Sequence, residues 1–120
     1  MLKILIVDDS AAEMALMKAI VTEAGYFPIT ASTGREGVEK AKAETPNLIL
    51  MDIVMPDVDG YEAARQLTVD AATKNIPIVM VSTKNQKADH MWAKMQGAKA
   101  LIGKPYAKED LLAAIRSAIV

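Results

Sequence analysis

The chain has no cysteine, which excludes disulfides and thiolate metal centres. Its one histidine, His90, has no second ligand four residues to either side, so it reads as a solvated helix residue and not as half of a metal pair. No apolar stretch approaches the length that crosses a bilayer, so membrane insertion is not expected. Basic charge is not in excess either. Fourteen Lys and Arg face fifteen Asp and Glu, for a net charge of −1, and no basic stripe marks a nucleic-acid footprint. There is no internal repeat, low-complexity linker or strongly polar tail. Gly34 and Gly37 make no dinucleotide fingerprint, and no phosphate-binding loop is present. Met1-Leu2-Lys3 runs straight into an apolar segment, leaving no room for a signal peptide, so a cytoplasmic location is expected. At 120 residues and 52% hydrophobic, the chain can bury a core without staples. It stops at Ser117-Ala118-Ile119-Val120, still in helical pattern, so the expected organisation is one domain over 1–120 with no attached output domain.

What is present is a rhythm. Short apolar runs alternate with helical patterns five times, as in parallel α/β sheets. Residues 3–7 form the first strand. Ser10, Thr33 and Asp59 each stand three residues before a glutamate (Glu13, Glu36, Glu62), the capping-box spacing, and open the first three helices. The first carries Met14, Met17 and Val21 and stops at Gly25; the second reaches about Glu44 and the third about Ala71. A fourth helix sets Ala88, Met91, Trp92 and Met95 on one face, expected to be inward, and ends near Gly97. Trp92 is therefore expected in the core or half-buried, with an interface anchor as the second reading, and the eight methionines read as core filler. A fifth helix from about Lys108 turns Leu111, Leu112, Ile115 and Ile119 inward.

Runs 4–7, 48–51 and 78–81 are wholly apolar, as expected of strands covered on both faces. Proline in Phe27-Pro28-Ile29-Thr30-Ala31 and lysines flanking the run 99–103 mark edge strands. Strands 1, 3 and 4 inside with 2 and 5 outside gives the order 2-1-3-4-5, with the arrangement of the inner three carried over from flavodoxin-like folds.

Polar residues end or follow these runs: Asp8 and Asp9, Asp52, Ser82 and Lys104. Ligand sites in such sheets gather outside the carboxyl ends of the strands, so three carboxylates, a hydroxyl and an amine converge there. Like charges about 4 Å apart repel by roughly 4 kcal/mol at an effective dielectric near 20. Such a cluster protonates in part or binds a cation, and oxygen-only donors favour a hard ion, Mg²⁺ foremost. Asp8-Asp9 alone would read as a solvated helix cap; Asp52 and Lys104 at equivalent strand ends weigh against that. Phosphoryl transfer depends on positioning and charge neutralisation, so an ionised carboxylate can be the nucleophile. Asp52, on the central strand, suits that role, with Lys104 as a mobile point charge on one flank. Ser82 suits donation to a phosphoryl oxygen, or capping of the fourth helix.

Asp8-Asp9, the segment from Met51-Asp52 through Pro56 to Asp59-Gly60, Ser82 and Lys104-Pro105 together resemble the motif set of response-regulator receiver domains, over the whole chain and with spacing intact. The resemblance implies a (βα)5 CheY-like fold in which Asp52 accepts a phosphoryl group from a histidine kinase or histidine phosphotransfer domain. It also implies that Asp9, Asp52 and the backbone carbonyl of Val54 bind Mg²⁺, with Asp8 assisting, that Ser82 and Lys104 complete the site, and that output passes through the face formed by helix 4, strand 5 and helix 5. Such a protein is a switch that catalyses only its own phosphorylation and dephosphorylation. Arg65-Gln66-Leu67-Thr68, Thr83-Lys84-Asn85-Gln86, Trp92 and Gln96-Gly97-Ala98 are similar to single-domain regulators of twitching motility, which implies a motility effector as partner. Two other classes stand beside this one. A Mg²⁺-dependent phosphohydrolase with an aspartyl intermediate needs a general acid and a substrate cap, neither evident here. A non-phosphorylated scaffold would not need the acidic pair, Asp52 and Lys104.

The chain departs from the family at Leu101, three positions before Lys104, where many receivers carry an aromatic toggle. The expectation is that Ser82 still moves and that the signal travels through helix 4, with no switch role assigned to Tyr106. Val54, two after Asp52, has no group to orient water, which implies slow self-dephosphorylation. Lys84, two after Ser82, either contacts the phosphoryl oxygens or stays solvated. Lys104-Pro105 is expected cis on the family pattern.

Overall fold

A computed structural model describes residues 1–119; Val120, the last residue of the expected helical pattern, lies outside them. Five strands and five helices alternate: β1 Lys3–Val7, α1 Ala11–Glu23, β2 Phe27–Ala31, α2 Gly34–Glu44, β3 Leu48–Met51, α3 Gly60–Val69, β4 Ile78–Ser82, α4 Lys87–Met95, β5 Ala100–Gly103 and α5 Lys108–Ile119. The strands form one parallel sheet in the order β2-β1-β3-β4-β5. Pro28 does lie on an edge strand, where its missing N–H costs no ladder bond on the solvent side.

Successive strand side chains point to opposite faces, and this alternation divides the core in two. Leu5, Val7, Ile49, Met51 and Met80 pack under α2, α3 and α4, with Val38, Ala41, Ala64, Leu67 and Ala93. Ile4, Ile6, Leu48, Leu50, Val79 and Val81 pack on the other face against Met17, Ile20 and Val21 of α1 and Leu111 and Ile115 of α5. Because both faces are covered, β1, β3 and β4 carry consecutive apolar residues over 4–7, 48–51 and 78–81 instead of at every second position.

The three expected N-caps are present: Ser10, Thr33 and Asp59 accept from the backbone N–H of Glu13, Glu36 and Glu62. None of the three boxes is closed by its glutamate: Glu36 accepts from the Ser32 N–H, one residue before the cap, and Glu62 pairs with Arg65. The Ser10 N–H donates to Asp8 Oδ1 at 2.9 Å, and the Glu13 carboxylate turns to Lys104. Helix α3 ends at Val69, two residues before its expected stop. There Asp70 leaves helical geometry, and its carboxylate accepts the Ala72 N–H at 2.8 Å, opening a separate turn.

Helix α4 is the main correction. The stripe Ala88, Met91, Trp92 and Met95, expected inward, faces solvent, with Met91 61%, Trp92 46% and Met95 69% exposed. The buried positions are Asp89 and Ala93. Asp89 can lie inward because three donors meet it: the Tyr61 hydroxyl at 3.1 Å, the Gln86 N–H at 3.0 Å and the Lys84 ammonium at 3.0 Å. Met17, Met51, Met55 and Met80 are core residues as expected, whereas Met91 and Met95 are not. His90 is exposed.

Candidate functional site

The sheet register brings the polar residues together. Val7 pairs with Met51 and Ser82 with Gly103, so Asp8, Asp52, Ser82 and Lys104 leave adjacent strands at one edge. The ladder continues past the strand ends: Asp52 N donates to the Val7 carbonyl, Lys104 N to that of Ser82 and Asp8 N to that of Ala31. Backbone bonds therefore position three of the site's side chains directly. Asp8 and Asp52 are buried, and Asp9 is exposed beside them.

Asp8, Asp9 and Asp52 each offer a carboxylate oxygen, and these oxygens lie within 4.8 Å of one another. Lys104 Nζ stands 2.7 Å from Asp8 Oδ2 and 3.2 Å from Asp52 Oδ2, with Glu13 Oε1 at 3.8 Å. One ammonium thus balances part of the charge of four carboxylates. Burial pushes the Asp8 carboxyl above its ordinary range, and bonds from Lys104 and the Ser10 N–H offset only part of that. For Lys104, burial works against the ammonium, but the bond to Asp8 and the charge of Asp52 outweigh it and hold the group above its usual value. The three-carboxylate, oxygen-only donor set with one face open to solvent at Asp9 fits Mg²⁺, which takes one or two carboxylates and keeps water for the remaining positions.

The surroundings leave Asp52 little freedom. Val54 N donates to Asp52 Oδ1 at 3.3 Å. On its other side, Gly60 opens α3 so close to the strand end that a Cβ there would lie 2.2 Å from the Asp52 carbonyl oxygen. Ser82 is fully buried, and its Oγ accepts the Lys84 N–H at 3.2 Å. It does not cap the fourth helix; Gln86 holds that position. Lys84 is neither at the carboxylate cluster nor merely solvated, because its side chain pairs with Asp89. Leu101 is buried on β5, and Lys104-Pro105 is cis as expected.

All the residues expected at the site are found at this edge of the sheet, including Val54, which is 57% exposed beside Asp52. Three further residues at the site, Glu13, Tyr61 and Asp89, are not marked by local spacing. Capping-box spacing accounts for the Glu13 backbone N–H but not for its carboxylate, although its position four residues after Asp9 puts it one helical turn above the acidic pair. Gly60, part of the motif segment that ends at Asp59-Gly60, is not among these, although its close approach to Asp52 leaves no mark in the sequence. The Tyr61–Asp89 pair joins residues 28 positions apart and leaves no local signal.

A parallel (βα)5 sheet with this carboxylate cluster, hydroxyl and lysine at its strand ends defines a receiver domain. Residues 4–116 match the response regulator receiver domain, and the chain belongs to that family. It is 44% identical over 119 residues to the protein PilH of Pseudomonas aeruginosa, spanning 99% of this chain and 98% of PilH. It is 32% identical over 116 residues to PilG of the same organism, spanning 97% and 86%. Among solved structures, the chemotaxis protein CheY4 of Vibrio cholerae superposes with a TM-score of 0.92 at 30% identity, covering 98% of both chains. Receiver domains are signalling proteins that bind Mg²⁺ in this acidic pocket.

Proposed function

We propose that this protein is a single-domain response regulator that accepts a phosphoryl group on Asp52 from a histidine kinase or histidine phosphotransfer domain. The observation that carries this is the position of Asp52, a buried carboxylate held between two further aspartates and the Lys104 ammonium. In the transfer, an Asp52 carboxylate oxygen forms a bond to phosphorus while the bond from phosphorus to the donor's imidazole nitrogen breaks, its electron pair leaving with the imidazole. Asp9, Asp52 and the Val54 carbonyl would hold Mg²⁺, with Asp8 assisting, and the ion would supply neutralising charge to the transferred group. Lys104 turns from Asp8 towards the phosphoryl oxygens, and Ser82 donates its hydroxyl to one of them. Val54 brings no side-chain group to attacking water, so the phosphoaspartate is long-lived.

Output runs through α4, β5 and α5. With Leu101 in place of an aromatic toggle, the link from Ser82 to that face is the β4–α4 loop: Ser82 bonds Lys84, Lys84 pairs with Asp89, Asp89 accepts from Tyr61, and Tyr61 meets the Trp92 ring edge-on at 6.3 Å. The exposed Met91, Trp92 and Met95 give the face an apolar surface suited to a partner. Full-length similarity to PilH supports a role in type IV pilus motility in the cytoplasm, either engaging a motility effector or draining phosphoryl groups from a partner regulator. No helix among the described residues is long and apolar enough to cross a membrane.

Amide chemical shifts with and without Mg²⁺ and beryllofluoride test the switch. Changes are expected at Val54, Ser82 to Gln86 and Lys104, continuing along α4 to Met95. Changes confined to the strand ends would contradict the output path.

A further inference from the structure

Asn85 lies over the last rung of the ladder between β4 and β5. Ser82 and Gly103 are partners in that rung, and Gly103 immediately precedes Lys104. The Asn85 carboxamide fills the space that a side chain at residue 103 would take. A Cβ added to Gly103 would lie 2.7 Å from Asn85 Nδ2 and 2.9 Å from its Cγ. Asn85 is accordingly half-buried, whereas Thr83, Lys84 and Gln86 around it are exposed. From this seat Nδ2 donates to the Ser82 carbonyl at 3.1 Å and to the Thr83 carbonyl at 3.2 Å. Two carbonyl acceptors require the amide nitrogen on that side, since the amide oxygen has no proton to give.

Asparagine often bonds its own loop backbone, and the Thr83 bond is of that kind. The Ser82 bond does more. The same carbonyl accepts the Lys104 backbone N–H at 2.9 Å, the bond that carries the ladder past the end of β5. One oxygen therefore ties together the main chains that bear the buried Ser82 hydroxyl and the Lys104 ammonium. A frame set before a ligand arrives has less freedom to lose on binding.

We infer that Asn85 is a positioning residue for Ser82 and Lys104: its carboxamide, seated on Gly103, clamps the Ser82 carbonyl so that hydroxyl and ammonium meet the phosphoryl group from one fixed frame. This rests on the phosphoacceptor role of Asp52 proposed above. The carboxylates and the Val54 carbonyl, which would hold the metal, lie outside the clamp, so Asn85 serves the phosphoryl oxygens and not the ion.

The experiment measures Mg²⁺ affinity alone, and beryllofluoride affinity in saturating Mg²⁺, for the wild type, Asn85→Ala, Asn85→Asp, Gly103→Ala and the Asn85→Ala/Gly103→Ala double variant. Asn85→Ala is expected to bind beryllofluoride about fivefold more weakly, the scale of a lost neutral hydrogen bond, with Mg²⁺ affinity no lower than wild type. Asn85→Asp keeps the shape but has no donor, and should lose at least as much. Gly103→Ala displaces the carboxamide and should lose about as much as Asn85→Ala, the double variant falling no more than about twofold below either. The inference is overturned if Asn85→Ala or Asn85→Asp binds beryllofluoride as wild type does, if the Asn85 and Gly103 losses add in full, or if Mg²⁺ affinity falls in parallel. A wild type that fails to bind beryllofluoride would instead remove the phosphoacceptor reading itself.

Discussion

The Tyr61 hydroxyl donates to Asp89 Oδ1 at 3.1 Å and so ties the first turn of α3, which abuts Asp52, to the buried face of α4. Lys84 reaches the same oxygen from the loop after Ser82, at 3.0 Å. Asp89 thus joins the carboxylate pocket to the helix that carries Trp92.

Replacing Lys84 with methionine is expected to raise the Asp89 carboxyl. Its bond with Lys84 is the main cause holding it below the ordinary range, ahead of the Gln86 N–H and Tyr61 contributions. A depressed folded-state value stabilises above the unfolded value and is lost as pH falls through the folded one. The variant and wild type should therefore differ in stability at neutral pH and converge in acid. Side-chain carboxyl NMR titration reads the shift directly, and an unmoved Asp89 would exclude Lys84 from the link.

Gly60→Ala should disable the site by way of the backbone. The added Cβ meets the Asp52 carbonyl oxygen at 2.2 Å and Ile53 Cα at 2.7 Å, and neither can swing aside. A loss of about 3 kcal/mol is expected by denaturant unfolding, together with slower phosphorylation. Gly25→Ala is the contrast: its cost of about 1–2 kcal/mol comes from a φ of +94° alone, because the space around it is open. Equal effects at the two glycines would show that close approach to Asp52 is not what Gly60 provides.

Lys104→Ala leaves the Asp8 carboxylate buried and without its cation. Breaking a buried pair in this way costs about 3–5 kcal/mol in the absence of metal, eased as Asp8 takes up a proton. Mg²⁺ should then bind more tightly than in wild type, since no ammonium competes for Asp8 and Asp52, and should restore more stability. Isothermal titration at neutral pH checks this. Weaker Mg²⁺ binding in the variant would mean that Lys104 helps to build the metal site instead of competing with it.

Two buried phenols set the alkaline limit. Tyr61 and Tyr106 are both raised from 10.0 to about 12, chiefly by burial, with Asp89 adding to the first and Glu13 to the second. Between those values the unfolded chain releases protons that the folded protein keeps. Stability is therefore fully present below pH 10 and falls as pH rises towards 12. Unfolding free energies across that window should decline less steeply in the Tyr61→Phe/Tyr106→Phe double variant. An unchanged slope would place the alkaline sensitivity elsewhere.

The strands and the residues that end them were legible because their signals are local. A wholly apolar run needs cover on both faces, and in a parallel sheet every such run delivers its next polar residue to the same edge. Asp8, Asp52, Ser82 and Lys104 could be assembled on that basis alone. The α4 face could not. Its apolar stripe has sound helical spacing, yet the helix turns Asp89 inward, because Tyr61, Gln86 and Lys84 supply donors that no local pattern reveals. Glu13 shows the same limit: capping spacing describes its backbone N–H correctly, while its carboxylate answers to a lysine 91 positions away.

The most direct test of the central claim is intact-mass measurement after incubation with acetyl phosphate and Mg²⁺, on wild type and on Asp52→Asn. One phosphate adduct on wild type, lost when metal is chelated beforehand and never seen on the variant, is the expected result. An adduct that persists without the Asp52 carboxylate, or a wild type that takes none, would contradict the assignment.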